Sequence, residues 1–365
     1  MSGNEHDIRQ LRGEAELAEF ARFPFRVYHD RAAWWPPDLR SEAEFFAGRS
    51  QFAAELDLSC WGAFRDGTMV ARVGAVINHR YIRHWHEPLG HLAHFEALPG
   101  QDEPVEALLE RALQWLAERG MKFARSGFAA FLDYPYAIDH YGELPSFLLR
   151  GNPDYYHAYF KNAGFETEKG HLDYTAALTP EQLARYEETI TRARQSNVTV
   201  LSWRQYGFKR AVDAWTDIIN ESFARHWGWN PVGRDELRPI MAPLEGSAVP
   251  ELSIVACIGA KPVGAVFSVP DLSSLLARVQ AGARLSAERG GGKRGALINL
   301  GVLEEARRRG VATAMAARSF LTMASRGMRY AGYTLVLDDN WPSRRTAAAL
   351  GARVTGNFVT YRKVL

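Results

Sequence analysis

The sequence feature that most constrains this chain is an apolar segment that leads through a basic, glycine-containing turn into a helical pattern. Residues 296–302 read ALINLGV and predict a buried strand, and residues 303–310 read LEEARRRG. Beyond Gly310, small and apolar residues recur at helical spacing. The first turn of a helix has N–H groups without partners within the helix, and the helix dipole adds about half a positive charge there. This unit therefore predicts a site for an anion such as a diphosphate.

The spacing of Arg307, Gly310 and Ala312 resembles the pyrophosphate loop of the GCN5-related N-acetyltransferase (GNAT) superfamily, Arg/Gln-x-x-Gly-x-Gly/Ala. Gly310 has no Cβ to hold a phosphate oxygen away from the backbone, and a guanidinium offers paired donors to phosphate. The resemblance implies that acetyl-CoA, or another acyl-CoA, is the cofactor. The implied cofactor-binding residues are Leu300, Gly301, Val302, Arg307, Arg308, Arg309, Gly310, Val311, Ala312, Thr313, Asn340 and Ser343. From the loop alone, the alternative is a solvated cluster of arginines.

The segment after the loop extends the resemblance. Residues 333–337 predict another strand, Asn340 follows it, and Gly351 ends the next helix. GNAT proteins likewise have an Asn at the end of the fifth strand, then a helix, then a Gly–Ala or Gly–Phe pair. The family often has a Tyr seven residues after that Asn, where it protonates the departing thiolate. This chain has Ala347 there, so the resemblance identifies no residue of this chain as that acid.

Positive charge is concentrated near the C-terminus, although the whole chain has a net charge of only +2. Residues 281–365 hold 15 Lys or Arg against 5 Asp or Glu. A local positive potential suits the phosphates of CoA. Nucleic acid is the competing partner, but the overall charge is nearly balanced and no nucleic-acid-binding motif is present, so we expect none.

Length and composition limit the class of protein. At 365 residues with 47% hydrophobic content, we expect two domains with substantial cores. Cys60 and Cys257 are too far apart in sequence to indicate a disulfide framework or a zinc site, and each is expected to be a buried small hydrophobe. The N-terminus does not resemble a secretory signal, and no apolar run approaches the roughly 18 residues of a membrane span. We therefore expect a cytoplasmic protein with no membrane-spanning segment and no metal.

The sequence contains two copies of one plan. Residues 61–76 and 252–267 each predict two strands around a Gly-containing turn, about 190 residues apart. In the first half, the helix that corresponds to the one after the basic turn begins with Asp102 and Glu103. Acids at this place repel phosphate, so the first half is predicted to have lost diphosphate binding.

The first half has a tyrosine that the second half lacks. Tyr159 lies seven residues after Asn152, and Gly164 and Phe165 follow, which resembles the helix and turn after the fifth GNAT strand. The alternative is a Tyr-rich helix that packs on a sheet.

The resemblance covers nearly the whole chain and is to uncharacterised two-domain bacterial acetyltransferases. It implies a mixed α/β (α+β) fold of two tandem GNAT-like domains, each a mixed, mostly antiparallel sheet flanked by helices: a degenerate one at 1–178 and one with the acyl-CoA loop at 179–365.

The resemblance also implies how the thioester is polarised. In the GNAT fold, a bulge in strand four separates it from strand five, and a backbone N–H at that place binds the carbonyl oxygen. Gly301 is the predicted bulge, which makes the Val302 N–H the implied oxyanion donor. The alternative is that Gly301 relieves crowding in a central strand.

A general base is not fixed by the sequence. Asn299 stands near a position where some family members have Glu, and an amide cannot accept a proton from an amine. The candidates are Glu304, Glu305, His226 and Tyr361, and a chain of water molecules would serve equally. Each residue has an alternative: the acids stabilise a helix start, the His is solvated, and Tyr361 packs on the sheet.

The segment Trp227–Trp229 forms either a wall of the acceptor site or part of a core.

The leading hypothesis is an acyl-CoA-dependent N-acyltransferase. In its simplest form, a small-molecule or peptide amine attacks acetyl-CoA directly in the C-terminal domain, and a homodimer is a possible assembly. The second hypothesis is a non-catalytic CoA-binding or scaffold protein, because Ala347 and Asn299 stand where an acid and a base are expected. The third is aminoacyl transfer from tRNA, which the intact CoA loop disfavours.

Overall fold

The computed structural model describes residues 6–31, 34–50, 53–128, 133–146, 149–280 and 293–365. The chain divides into two compact units. The first runs to Gly170 and also takes in a short segment from Leu276 and the C-terminal residues Phe358–Leu365. The second comprises His171–Leu275 and Ala283–Asn357. The second unit thus begins ahead of the predicted domain start at residue 179, and the end of the chain belongs to the first unit.

The first unit is a mixed sheet with helices packed on it. Its strands are β1 (His6–Leu11), β2 (Leu56–Arg65), β3 (Thr68–Asn78), β4 (Leu89–Ala97), β5 (Phe123–Ser126), β6 (Tyr136–Ala137), the beginning of β7 (Glu166–Ala177) and the end of β13 (Arg353–Val364). Its helices are α1 (Glu14–Arg22), α2 (Pro24–Val27), α3 (Leu39–Phe46), α4 (His79–Trp85), α5 (Asp102–Ala117) and α6 (Tyr156–Asn162). The strand order is β1-β2-β3-β4-β5-β13, and all neighbours are antiparallel except β4 and β5.

Helix α5 shows why the first unit folds in this way. Its apolar residues recur at i, i+3 and i+4, so one face can pack on the sheet. The buried residues of that face are Val105, Leu108, Leu109, Ala112, Leu113 and Leu116. The face packs on β2 and β3 and joins a large aromatic core. The helix predicted from the periodicity is confirmed.

The second unit repeats the plan. Its strands are the end of β7, β8 (Val198–Ser202), β9 (Ile254–Ile258), β10 (Lys261–Pro270), β11 (Arg294–Val302), β12 (Tyr330–Leu337) and the beginning of β13. Its helices are α7 (Pro180–Gln195), α8 (Trp203–Tyr206), α9 (Phe208–Ser222), α10 (Arg234–Met241), α11 (Val249–Leu252), the beginning of α12 (Ser273–Gln280), α13 (Val311–Ser325) and α14 (Trp341–Ala349). The strand order is β7-β12-β11-β10-β9-β8, and all neighbours are antiparallel except β11 and β12.

The two units have the same order of elements, which confirms the predicted repeat. Each has a hairpin, a third strand, a helix, a parallel strand and a further helix. The strand beside the parallel strand comes from an unexpected part of the sequence. In the first unit β13 pairs with β5, and in the second unit β7 pairs with β12. Each half of the sequence therefore supplies a strand to the other unit.

Two further predictions concern buried and membrane-spanning segments. Cys60 and Cys257 are free thiols, 3% and 5% exposed, so both behave as small core residues as predicted. Within the described ranges, no helix has the length and apolar character needed to cross a membrane.

Candidate active site

Strand β11 has an irregular register, but not at the predicted glycine. Phe267 of β10 pairs with Asn299 and the next residue, Ser268, pairs with Leu297, so Ile298 is the extra residue of the bulge. Gly301 is paired regularly with Ala265. The predicted position of the bulge at Gly301 is therefore wrong.

Gly301 is required for a different reason, which is the close approach of α9. A Cβ on Gly301 would lie 2.5 Å from Ser222 Oγ and 3.4 Å from the Ile218 carbonyl oxygen. The Ser222 hydroxyl itself donates a hydrogen bond to that carbonyl at 2.5 Å, so it has little freedom to move. The alternative interpretation, relief of crowding in a central strand, is the one that the structure supports.

The parallel strands β11 and β12 separate beyond the bulge. Their pairing runs from Arg294–Tyr330 to Leu297–Tyr333. Beyond that point β12 is itself irregular, because Leu335 has a φ of 55°. The ends of the two strands diverge and leave space between them, as the resemblance implies.

The turn after β11 presents backbone amides to solvent. Residues 307–310 are exposed, and Arg308 and Gly310 have left-handed φ values of 61° and 74°. Helix α13 begins at Val311, and no side chain caps its N-terminus. In the part of the chain that the structure describes, the N–H groups of residues 308–313 donate to no carbonyl and no side chain. These amides are the free donors that an anion site needs.

A cavity of about 1050 Å³ lies in front of these amides. It is bounded by the end of α9, the end of β11 with its loop, Tyr333 and the start of α14. The predicted cofactor-binding residues that line it are Leu300, Val302, Arg307, Arg308, Gly310, Val311, Ala312, Thr313, Asn340 and Ser343. Gly301 and Arg309 do not line it, because Gly301 faces α9 and Arg309 is exposed away from the cavity.

Residues 212–352 match the family model described as the acetyltransferase (GNAT) family. This range includes every residue that lines the cavity. The chain carries a GNAT acetyltransferase domain. The GNAT domain lies within the second unit, and the first unit repeats its fold.

Three comparisons extend over most of the chain. Protein YghO of Escherichia coli (strain K12) is 19% identical over 274 residues, which is 74% of this chain and 70% of YghO. The bacterial ceramide synthase of Caulobacter vibrioides (strain NA1000 / CB15N) is 22% identical over 268 residues, 72% of this chain and 69% of that protein. A tandem GNAT protein from the clavulanic acid biosynthesis pathway, solved without AcCoA, superposes with a TM-score of 0.57 at 12% identity, covering 99% of this chain and 98% of that one. The last comparison shows that the chain has a tandem GNAT fold.

The GNAT domain brings a positive surface to the cavity. Four arginines line it, Arg225, Arg307, Arg308 and Arg345, against two acids, Glu221 and Glu304. Phosphate groups would be held by an excess of positive charge together with the open amides.

The structure places two of the four candidate bases at the cavity and two elsewhere. Glu304 and His226 line the cavity, and His226 Nδ1 lies 3.1 Å from the Trp227 carbonyl oxygen. Glu305 lies outside it and accepts a hydrogen bond from Lys261 at 2.8 Å, which lowers the pKa of that carboxyl group. Trp227 and Trp229 are also absent from the lining, and Trp229 packs edge-on against Phe223.

Tyr361 lies in the first unit and not with the loop. Its ring stacks on Phe160 at 5.0 Å, and its hydroxyl is hydrogen-bonded to His157 Nδ1. It is 7% exposed, and burial raises its pKa to about 12. Packing on the sheet, the alternative given for this residue, accounts for its position.

Tyr333 is the site residue that sequence reasoning missed. It is 4% exposed, it lines the cavity, and its hydroxyl lies 2.8 Å from Ser343 Oγ. Burial raises its pKa to about 12, so the phenol is protonated at neutral pH. Ala347, where the family often has a Tyr, is fully buried on α14. The sequence shows Tyr333 only as the start of a strand, and its place in the cavity wall depends on the divergence of β11 from β12.

Tyrosine hydroxyls contact the backbone at the corresponding place in the first unit. The Ala97 N–H donates to the Tyr156 hydroxyl at 2.9 Å, and the Gln101 N–H donates to the Tyr159 hydroxyl at 3.0 Å. Tyr159 in turn donates to the Leu98 carbonyl at 3.0 Å. The hydroxyl of Tyr159, the residue that resembles the family acid in sequence, is therefore hydrogen-bonded to the backbone of this turn.

Proposed function

We propose that the chain is an acyl-CoA-dependent N-acyltransferase that uses the GNAT domain of the second unit. The observation that carries the proposal is the set of unpartnered N–H groups of residues 308–313 at the mouth of a cavity of about 1050 Å³. The diphosphate of acyl-CoA would accept hydrogen bonds from these amides, and Arg307 and Arg308 would add charge-assisted bonds. In the first unit the corresponding helix begins with Asp102 and Glu103, whose charges repel phosphate, and the Gln101 N–H donates to the Tyr159 hydroxyl.

The proposed reaction is direct attack by an amine. The amine nitrogen forms a bond to the acyl carbon, and the bond from that carbon to the CoA sulfur breaks. Glu304 or His226, both in the cavity lining, would take the proton released by the amine, either directly or through water. The N–H of Val302 stays the predicted donor to the carbonyl oxygen.

Tyr333 is the proposed acid for the departing thiolate. It replaces the family tyrosine that is Ala347 here, and it occupies the cavity wall beside Ser343 at the start of α14. A phenol that burial keeps protonated can donate a proton to sulfur at neutral pH, and the Ser343 hydroxyl fixes its direction.

A long-chain amine is one candidate acceptor. One relative is named a ceramide synthase, and a ceramide is the amide of a long-chain amine. The cavity wall includes the apolar side chains of Phe223, Leu300 and Val302 as well as the charged ones, so an amphipathic amine suits it. A small polar amine is the alternative acceptor.

Isothermal titration of the full chain with acetyl-CoA tests the binding step. We expect one site per chain, weakened about ten- to hundredfold in Arg307→Ala, because a charged hydrogen bond contributes roughly 1.5 to 3 kcal/mol. Arg309→Ala is the matched control, since Arg309 belongs to the same loop but not to the cavity lining. Equal affinity in both variants would remove the role of Arg307, and absence of binding by the wild type would end the proposal.

Thiol release tests the chemical step. The chain is incubated with acetyl-CoA or a long-chain acyl-CoA and with a panel that runs from short amines to a long-chain base, while free CoA thiol is measured. Release that depends on an amine supports the transferase. Tight CoA binding with no release from any pair would favour the scaffold hypothesis instead.

A further inference from the structure

The cavity of the second unit is lined from both faces of the sheet at the end of β11. A Cβ on Gly301 would face α9, with Ser222 Oγ 2.5 Å away. A Cβ on Gly264, which pairs with Val302, would face α13, with Val311 Cγ1 2.9 Å away. Directly paired residues of antiparallel strands point to the same face, and successive residues of a strand point to opposite faces. Helices α9 and α13 therefore lie on opposite faces of the sheet, and residues from both line the cavity.

This arrangement separates the two substrates of the proposed reaction. The open amides at the start of α13 would hold the diphosphate of acyl-CoA on the α13 face. The pairing of β11 with β12 ends at Leu297–Tyr333, so an acyl group can enter between the two strands. An amine that attacks the same carbonyl group then approaches from the α9 face, where the cofactor does not block it. The cavity wall on that side is formed by residues 221–226.

Two opposite charges lie in this wall and are not paired with each other. Glu221 and Arg225 are both exposed, and a spacing of four residues would allow an ion pair within a helix. Helix α9 ends at Ser222, so Arg225 lies beyond the helical turn that would bring the two side chains together. Among the described residues, neither side chain has an ion-pair or hydrogen-bond partner. One negative and one positive group are thus available to a ligand of the cavity.

The cofactor accounts for the other arginines of the cavity wall but not for Arg225. Arg307 and Arg308 belong to the turn before α13, and Arg345 belongs to α14, which packs against α13. With the open amides, these residues suit the diphosphate and the ribose phosphate of CoA. Arg225 follows α9, on the other face of the sheet. Its guanidinium is therefore on the side from which the acceptor approaches.

We propose that the acceptor is an amine that carries an anionic group, a carboxylate or a phosphate, close to its nitrogen. This inference rests on the proposed function and narrows its acceptor. Arg225 binds the anionic group through charge-assisted hydrogen bonds, and Glu221 attracts the ammonium group before it loses its proton. His226, the next residue in the chain, is one of the candidate bases for that proton. The amide product keeps its anionic group but has no positive charge, so it loses the attraction to Glu221.

The test is ligand-detected NMR on the full chain saturated with CoA, which has a free thiol and no acyl group to transfer. The probes form two matched pairs, L-leucine with L-leucinamide and O-phosphoethanolamine with ethanolamine. Each pair keeps the amine and differs in the anionic group. We expect at least one anionic probe to bind about tenfold more tightly than its neutral partner. A preference in the first pair supports an amino acid as acceptor, and a preference in the second supports a phosphate ester.

Variants of the wall show whether Arg225 causes the preference. Arg225→Ala should abolish it and leave the affinity for CoA unchanged, whereas Arg225→Lys should keep part of it, because the charge remains but the paired donors are lost. Lys209→Ala is the matched control, since it removes a positive charge from α9 but not from the cavity wall. This control should show the wild-type preference.

Three results would overturn the inference. The first is a wild-type chain that binds CoA but shows no preference in either pair, or binds none of the probes. The second is an Arg225→Ala variant with the wild-type preference. The third is an Arg225→Ala variant with weakened CoA binding, because Arg225 would then belong to the cofactor site. Failure of the wild type to bind CoA is a separate outcome, which ends the proposed function itself.

Discussion

Substitution of Tyr333 by Phe should slow acyl transfer and leave acyl-CoA binding intact. The change removes only the hydroxyl that lies 2.8 Å from Ser343 Oγ and keeps the ring that forms part of the cavity wall. Burial raises the pKa of Tyr333 to about 12, so the group is protonated throughout the neutral range. The wild-type rate should therefore show no titration of Tyr333 between about pH 6 and pH 10.

The expected size of the effect follows from the role of the hydroxyl. A positioned general acid contributes typically 10²–10⁴-fold to a rate. A thiolate is already a fair leaving group, so we expect a fall in kcat of about 10²-fold, near the lower limit. The cost in stability should be only about 1 kcal/mol, because the half-exposed Ser343 hydroxyl can bond to water instead.

The assay is steady-state release of CoA thiol with a saturating amine, combined with titration of acetyl-CoA. Tyr330→Phe is the matched control, because Tyr330 lies on the same strand, is 45% exposed and does not line the cavity. A kcat in Tyr333→Phe equal to that of Tyr330→Phe would refute the assignment of Tyr333 as the acid. A loss confined to acetyl-CoA affinity would show a role in binding instead.

Two further predictions concern stability and are measured by urea unfolding. Gly301→Ala places a methyl group 2.5 Å from Ser222 Oγ and should destabilise the chain by about 1–3 kcal/mol. Adding Ser222→Ala removes that hydroxyl and should recover part of the lost stability. A double variant no more stable than Gly301→Ala would contradict this account. Glu42 is buried, which opposes its ionisation, but its ion pair with Arg72 holds its pKa at about 2, against 4.5 for the free group. This shift contributes of order 3 kcal/mol to the free energy of unfolding. The contribution is complete above about pH 4.5 and is lost as the pH falls towards 2. Glu42→Gln should lack this part of the pH dependence, and an unchanged pH profile would show that the Arg72 pair does not act in this way.

Local sequence patterns determined the elements and the loop. Helix α5 and the strand–turn–helix unit at 296–313 were predictable, because hydrophobic period and turn residues act over a few neighbouring positions. The family resemblance followed from the same short motifs. The basic loop was therefore visible in the sequence before any contact was known.

Tertiary structure alone decided which groups meet. The position of the bulge at Ile298 depends on pairing with β10, and the place of Tyr333 in the cavity wall depends on the divergence of β11 and β12. Tyr361 packs in the first unit because β13 pairs with β5, although the residue follows the GNAT domain in sequence. A strand carries the same alternating pattern whichever neighbour it joins, so pairing over long separations leaves no local signal. Sequence thus determined the basic loop, and the fold determined which residues surround it.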